Sequence, residues 1–199
     1  MGCRFIMSEM KTQTKLGNLR VRVPGWLRAI YVLFGLIGVS LSVLILSYPN
    51  LGQLNQILIL VTAVFVFGLA RITVGLFAVH LPVRLRAFSI GLGVFGISVT
   101  LIAIMGQMYL TQTLAQLLSA VLLFNGAISI FIGGFVETIP RISRITLFAL
   151  GLVCIASSVW TFMLSPFPLS SSINLLSVGF LSNGIAHIVE GATRTKLRK

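Results

Sequence analysis

Acidic side chains are almost missing from this chain. Its 199 residues contain three of Asp and Glu together, namely Glu9, Glu137 and Glu190. No two of them have a spacing that would fix them as a pair for acid–base chemistry. Charge of either sign is scarce: charged residues make up 9% of the chain, where soluble domains carry roughly 25%. The two cysteines, Cys3 and Cys154, are too few for a disulfide framework or a metal site. Cys3 reads as a thiol in a cytosolic tail, and Cys154 as a small apolar packing residue. His80 follows the second apolar run and reads as interfacial rather than as a ligand. HExxH, GxSxG, Walker and dinucleotide-binding patterns are all missing. The chain therefore reads as a non-enzyme, with no cofactor and no metal. Residues 1–23 lack the apolar stretch of a cleavable signal. Ile6 stands where N-myristoylation needs Ser or Thr. Met1, Met7 and Met10 all stay open as the start.

What is present is apolar length. Hydrophobic residues make up 57% of the chain, and the mean hydropathy is +1.05. That composition places the chain in a bilayer. Six apolar runs are visible: Leu27–Tyr48, Asn55–Val79, Leu85–Gly106, Leu114–Phe135, Ile145–Leu164 and Ile173–Ile188. A helix needs about 20 residues to cross the hydrocarbon. Five runs reach that length, and the sixth does so with Ser171 and Ser172 or residues 189–193 included. Pro49 with Asn50, Gly106 with Gln107, and the stretch 166–168 supply turn chemistry. The expected fold is all-α, a polytopic six-helix transmembrane bundle.

The formal charge of +12 is distributed by position. Arg4, Lys11, Lys15, Arg20, Arg22 and Arg28 precede or open the first run. Arg84 and Arg86 lie between the second and third runs, Arg141 and Arg144 between the fourth and fifth. Arg194, Lys196, Arg198 and Lys199 follow the last. The other connections, residues 48–54, 107–113 and 165–172, carry no charge. Basic residues in alternate connections follow the positive-inside rule. Both termini are thus expected in the cytoplasm, in a plasma or inner membrane with anionic headgroups facing the basic residues. No basic stripe is interleaved with stacking aromatics, so nucleic acid is not the expected partner. Residues 16–23 alternate basic and apolar residues and suit either a headgroup surface or water. Pro24, Gly25 and Trp26 mark the start of the first span, with Trp26 as an interfacial anchor.

A pattern recurs at a step of 58 residues. Pro24, Arg28, Gly35, Gly38, Gly68 and Gly75 correspond to Pro82, Arg86, Gly93, Gly96, Gly126 and Gly133. The third copy is Pro140, Arg144, Gly151, Cys154, Gly184 and Gly191. Tandem repeats of two helices follow, over 24–81, 82–139 and 140–193, between basic tails at 1–23 and 194–199. An even number of crossings per copy relates the copies by rotation about the membrane normal. Three hairpins with approximate threefold symmetry are expected. In lipid, close backbone approach drives helix association. Gly68 and Gly75, Gly126 and Gly133, and Gly184 and Gly191 each share a helix face, and their seven-residue spacing suits left-handed crossings. Gly35 with Gly38, Gly93 with Gly96, and Gly151 in the third copy offer a second small patch.

These residues resemble the short repeat of the HdeD family. The resemblance rests on Leu27, Arg28, Ala29, Ile30 and Leu85, Arg86, Ala87, Phe88, on Pro49, and on the paired glycines, and it covers about 24–193. It implies six transmembrane helices and a connection to acid resistance in bacterial inner membranes, with no reaction, cofactor or catalytic residue. The second copy lacks the turn proline, and Cys154 replaces a glycine.

Polar residues inside the membrane are the strongest pointers to function, because they are costly there. Arg71, Ser129 and His187 occupy equivalent positions, and one turn earlier stand Phe67, Asn125 and Asn183. If the even-numbered helices face inward, Arg71, Asn125, Ser129, Asn183 and His187 form a polar cluster open to the cytoplasm. It would be a proton-responsive or solute-binding pocket, since histidine ionises near neutral pH. The competing reading has Asn125 and Asn183 hydrogen-bonded between helices and Arg71 snorkelling to the headgroups. Glu190 with Arg194, and Glu137 with Arg141, read as rim ion pairs. Three functions remain: a stress-tolerance membrane protein, an accessory subunit of a larger membrane complex (or a homo-oligomer), and a small proton or solute channel.

Overall fold

The computed structural model describes residues 25–77, 83–105, 111–135, 140–163 and 169–193. Both tails, Pro24, Pro82, His80, Glu137, Arg194 and the turns expected at 106–107 and 166–168 lie outside the described residues. Six helices make up the described chain: α1 (Gly25–Ser47), α2 (Gln53–Phe77), α3 (Val83–Met105), α4 (Thr111–Phe135), α5 (Arg141–Met163) and α6 (Leu169–Thr193). All six are long and apolar enough to cross a membrane. The chain is all-α and reads as a multi-pass membrane protein. Helix suits these sequences because a bilayer offers no partner for backbone N–H and C=O groups. Hydroxyls on the helices obey the same constraint. Ser40, Thr62, Thr73, Ser98 and Thr146 each donate to the carbonyl four residues earlier, at 2.8 to 3.0 Å.

The first connection is a tight turn. Leu51 N donates to Tyr48 O at 3.1 Å, with Pro49 presetting the backbone at the second position. The last two helices begin earlier than their apolar runs suggest, at Arg141 and Leu169. Pro140 caps α5 by accepting from Arg144 N at 3.1 Å. Ser171 and Ser172 belong to α6, one of the two extensions its length called for, and Leu169 and Ser170 carry it further.

Helices α2, α4 and α6 bury 56, 56 and 61% of their apolar windows, against 28, 39 and 33% for α1, α3 and α5. The even-numbered helices touch one another, while the odd-numbered ones do not meet among the described residues. The result is an inner ring of three helices inside an outer set of three. The most extensive helix pairs are α2 with α3, α4 with α5, and α6 with α1. Each inner helix packs hardest on the following outer helix, and the last packs on the first.

Glycine explains these three seams. A Cβ on Gly93 would stand 2.6 Å from Gly68 O; on Gly151, 2.8 Å from Gly126 O; on Gly35, 2.7 Å from Gly184 O. Backbones at that range leave no room for a side chain. One helical pair further on, a Cβ at Gly75, Gly133 or Gly191 would meet the carbonyl of Arg86, Arg144 or Arg28 at 2.9, 2.7 or 3.0 Å. Each of those arginines returns the contact. Arg86 Nε donates to Gly75 O at 3.0 Å, Arg144 Nε to Gly133 O at 3.0 Å, and Arg28 Nε to Gly191 O at 3.2 Å. Carbonyls in the last turn of a helix have no intrahelical donor, and here the neighbouring helix supplies one. The arginines therefore tie neighbouring helices together.

Two expected packing glycines behave differently. Gly96 has no atom nearer than 3.6 Å to an added Cβ, so a methyl group fits there. Gly38 faces the ring of Phe67, not a backbone. The corresponding position in α5 holds Cys154, which is buried and donates through Sγ to Gly179 O at 3.3 Å. A close-contact glycine outside the repeating set is Gly179, crowded by Leu122 and by Ser157 Cβ at 3.2 Å.

Candidate functional site: a closed polar cluster among the inner helices

The inner ring has two unlike halves. Toward the turn at Pro49, Ile57, Leu60, Val64, Leu118, Leu122, Leu176 and Phe180 fill it with apolar side chains. Toward the end that carries Gly25 and Thr193, the same faces carry Arg71, Asn125, Ser129, Asn183, His187 and Glu190, all buried. The helical period produces this split. On α6, residues 176, 180, 183, 187 and 190 follow one face at steps of three and four. The first two are apolar and the last three polar.

All five residues read from the sequence as a cluster lie buried in the ring, at 0 to 2% exposure. Arg71 Nε donates to Asn125 Oδ1 at 3.1 Å, linking α2 to α4. Asn125 Nδ2 donates to Val121 O at 3.1 Å, and Ser129 Oγ to Asn125 O at 3.1 Å. His187 stacks on Phe67 of α2 at 5.3 Å between ring centroids and lies 5.9 Å from the ring of Tyr31 of α1. Its Nδ1 stands 3.8 Å from Glu190 Oε2.

Three expectations change. The cluster is closed, not open, because Phe67, Tyr31 and the surrounding helices cover it. Arg71 does not snorkel, since a guanidinium held by Asn125 is aimed into the bundle. Glu190 is not a rim residue. Its carboxylate is 1% exposed and faces His187, one turn away on the same helix face. Nearness to the helix end suggested a solvated position; burial depends instead on which face of α6 meets α1. The interhelical role foreseen for Asn125 holds. Asn183 makes no such bond: both its side-chain polar atoms are buried without a partner.

The ionisable side chains of this arrangement are those of Arg71, His187 and Glu190. Arg71 contributes a fixed positive charge, and His187 and Glu190 can each gain or lose a proton. Among the described residues no three His, Cys, Asp or Glu side chains are grouped to hold a metal ion. A groove of about 460 Å³ lies elsewhere, on the outer seam of α1 and α6 beside Arg28, Val32 and Leu36. It opens outward, away from the ring.

No family model matches the chain, and no curated protein or solved structure matches it either.

Proposed function

We propose that the chain is a non-enzymatic, HdeD-like membrane protein that contributes to acid or stress tolerance, with the buried cluster as its proton-responsive element. Three tandem two-helix units would form the body, seated in a plasma or inner membrane with both termini in the cytoplasm. The observation that carries this reading is the burial of Arg71, His187 and Glu190 together, with His187 Nδ1 3.8 Å from Glu190 Oε2. Ionisable groups inside a membrane bundle are costly and are retained for a use. Histidine is the side chain whose ordinary ionisation lies between pH 5 and 8. Packing alone would be served by apolar residues, as at the equivalent positions Val74 and Ile132. The apolar half of the ring supports a sensor or stabiliser over an open pore, because Leu122, Leu176 and Phe180 fill the axis beyond the cluster.

The test is survival of acid challenge by cells carrying wild type, His187→Gln or Glu190→Gln at matched membrane abundance. Loss of survival in either variant, with neutral growth unchanged, is the expected result. Wild-type survival in both would remove the proposal.

A further inference from the structure

Asn183 is completely buried, and neither Nδ2 nor Oδ1 has a hydrogen-bond partner in the protein. Two turns along the same face, neither carboxylate oxygen of Glu190 accepts a hydrogen bond, although the residue is 1% exposed. Buried polar groups in native proteins are nearly always paired, with protein or with ordered water. In a membrane the incentive is greater, since the surroundings offer no alternative. The polar face of α6 from Asn183 to Glu190 is therefore incomplete as protein alone.

The chemistry of the orphaned atoms selects the guest. It must accept from the amide Nδ2, donate to Oδ1 and donate to a carboxylate. A metal cation would leave Nδ2 unpaired, and the fixed charge of Arg71 across the ring opposes it. An anion would face Glu190. An apolar guest satisfies none of these atoms. Water satisfies all of them, as donor and acceptor in one small molecule.

We propose that the inner ring holds an internal hydrated pocket, a short file of water molecules running along α6 from Asn183 past His187 to Glu190. It is closed toward the membrane centre by Phe67, whose ring stacks on both Phe180 and His187, at 6.1 and 5.3 Å. It begins near the end of α6, since Glu190 lies three residues before Thr193. The file connects His187 with Glu190 inside the closed ring, so a proton can pass between them without either side chain reaching solvent. Among the described residues, the charged and titratable groups around it are Tyr31 and Arg28 from α1, Arg71 from α2 and Cys154 from α5. The described residues of α4 contribute the neutral Asn125 and Ser129. The inference deepens the reading of this cluster as proton-responsive, but the pocket stands or falls separately from acid tolerance.

The experiment is hydroxyl-radical labelling by X-ray radiolysis of the full chain in lipid nanodiscs, read by mass spectrometry. Radicals born from bound water oxidise the side chains beside it. His187 and Phe67 should be oxidised, and Phe67 several-fold faster than Phe124, which is 42% exposed at mid-helix on α4. Asn183→Leu, nearly the same volume without polar atoms, should reduce both signals to the Phe124 level. Asn183→Ser should keep them, because a hydroxyl still holds water. Unlabelled His187 and Phe67 in the wild type would overturn the proposal even if no variant folds. Labelling that persists undiminished in Asn183→Leu would overturn the assignment of Asn183 as the anchor. Labelling with normal acid survival in His187→Gln would keep the pocket and remove the function.

Discussion

The seams between helices and the interior of the inner ring both draw on positions spaced 58 residues apart, yet they differ in kind. At the seams the residues 58 apart are nearly identical, and so are their contacts: glycine on glycine carbonyl, arginine on the last-turn carbonyl. In the interior the residues 58 apart differ. Phe67, Asn125 and Asn183 form one set, Arg71, Ser129 and His187 a second, and Val74, Ile132 and Glu190 a third. The difference teaches where geometry and chemistry reside. A seam tolerates almost nothing, because a side chain there collides with backbone. An interior position has room for a side chain, and a polar one is accommodated where a neighbour pairs with it, as Asn125 does with Arg71.

The sharpest way to break this contrast is to load a seam. Gly133→Val places a branched side chain against Arg144 O and Phe148 N, at 2.7 and 2.9 Å from the Cβ. Backbone cannot rotate away as a side chain can, so the cost should reach about 3 kcal/mol or abolish folding. Thermal unfolding in detergent measures it. A wild-type melting temperature would mean that the seam yields.

Next in size is the interior link. Asn125→Leu leaves Arg71 Nε buried without its acceptor, at about 2 kcal/mol. The double variant Arg71→Met with Asn125→Leu should recover most of that loss, since both polar partners leave together. Additive losses in the double-mutant cycle would show that the two side chains are not coupled.

Arg144→Gln removes donors to Gly133 O and Gly134 O, at 3.0 and 2.7 Å. About 1 kcal/mol should be lost, because the site is partly exposed. Arg144→Lys should fail to restore it, as an ammonium lacks the planar fork that reaches two carbonyls. The smallest effect separates two glycines three residues apart. Gly96→Ala should be neutral or stabilising by up to about 1 kcal/mol through helix propensity, while Gly93→Ala should destabilise. Equal melting shifts for the two would erase the distinction between seam and filler.

Much of this structure is legible in the residues. The six spans follow from apolar length, and the paired glycines are recognisable from their spacing before their contacts are known. Arg71, Asn125, Ser129, Asn183 and His187 stand out because polar residues are rare in such runs. Other features are not legible for identifiable reasons. Gly179 corresponds to Val121 and Ala63, so no recurring pattern marks it. The burial of Glu190 depends on α1 returning to cover α6, a contact between opposite ends of the chain. Partner choice among helices is hidden too, since turns join α1 to α2 while the glycine seams join α6 to α1.

By itself, the sequence determined the six bilayer-length helices and which faces carry small or polar side chains, because hydrophobicity and the helical period are properties of the string. Only the tertiary structure decided which faces meet. Whether Arg71 finds Asn125 or water, and whether Glu190 is wet or enclosed, depends on neighbours supplied by distant helices. Burial is a relation between segments, and no segment carries it alone.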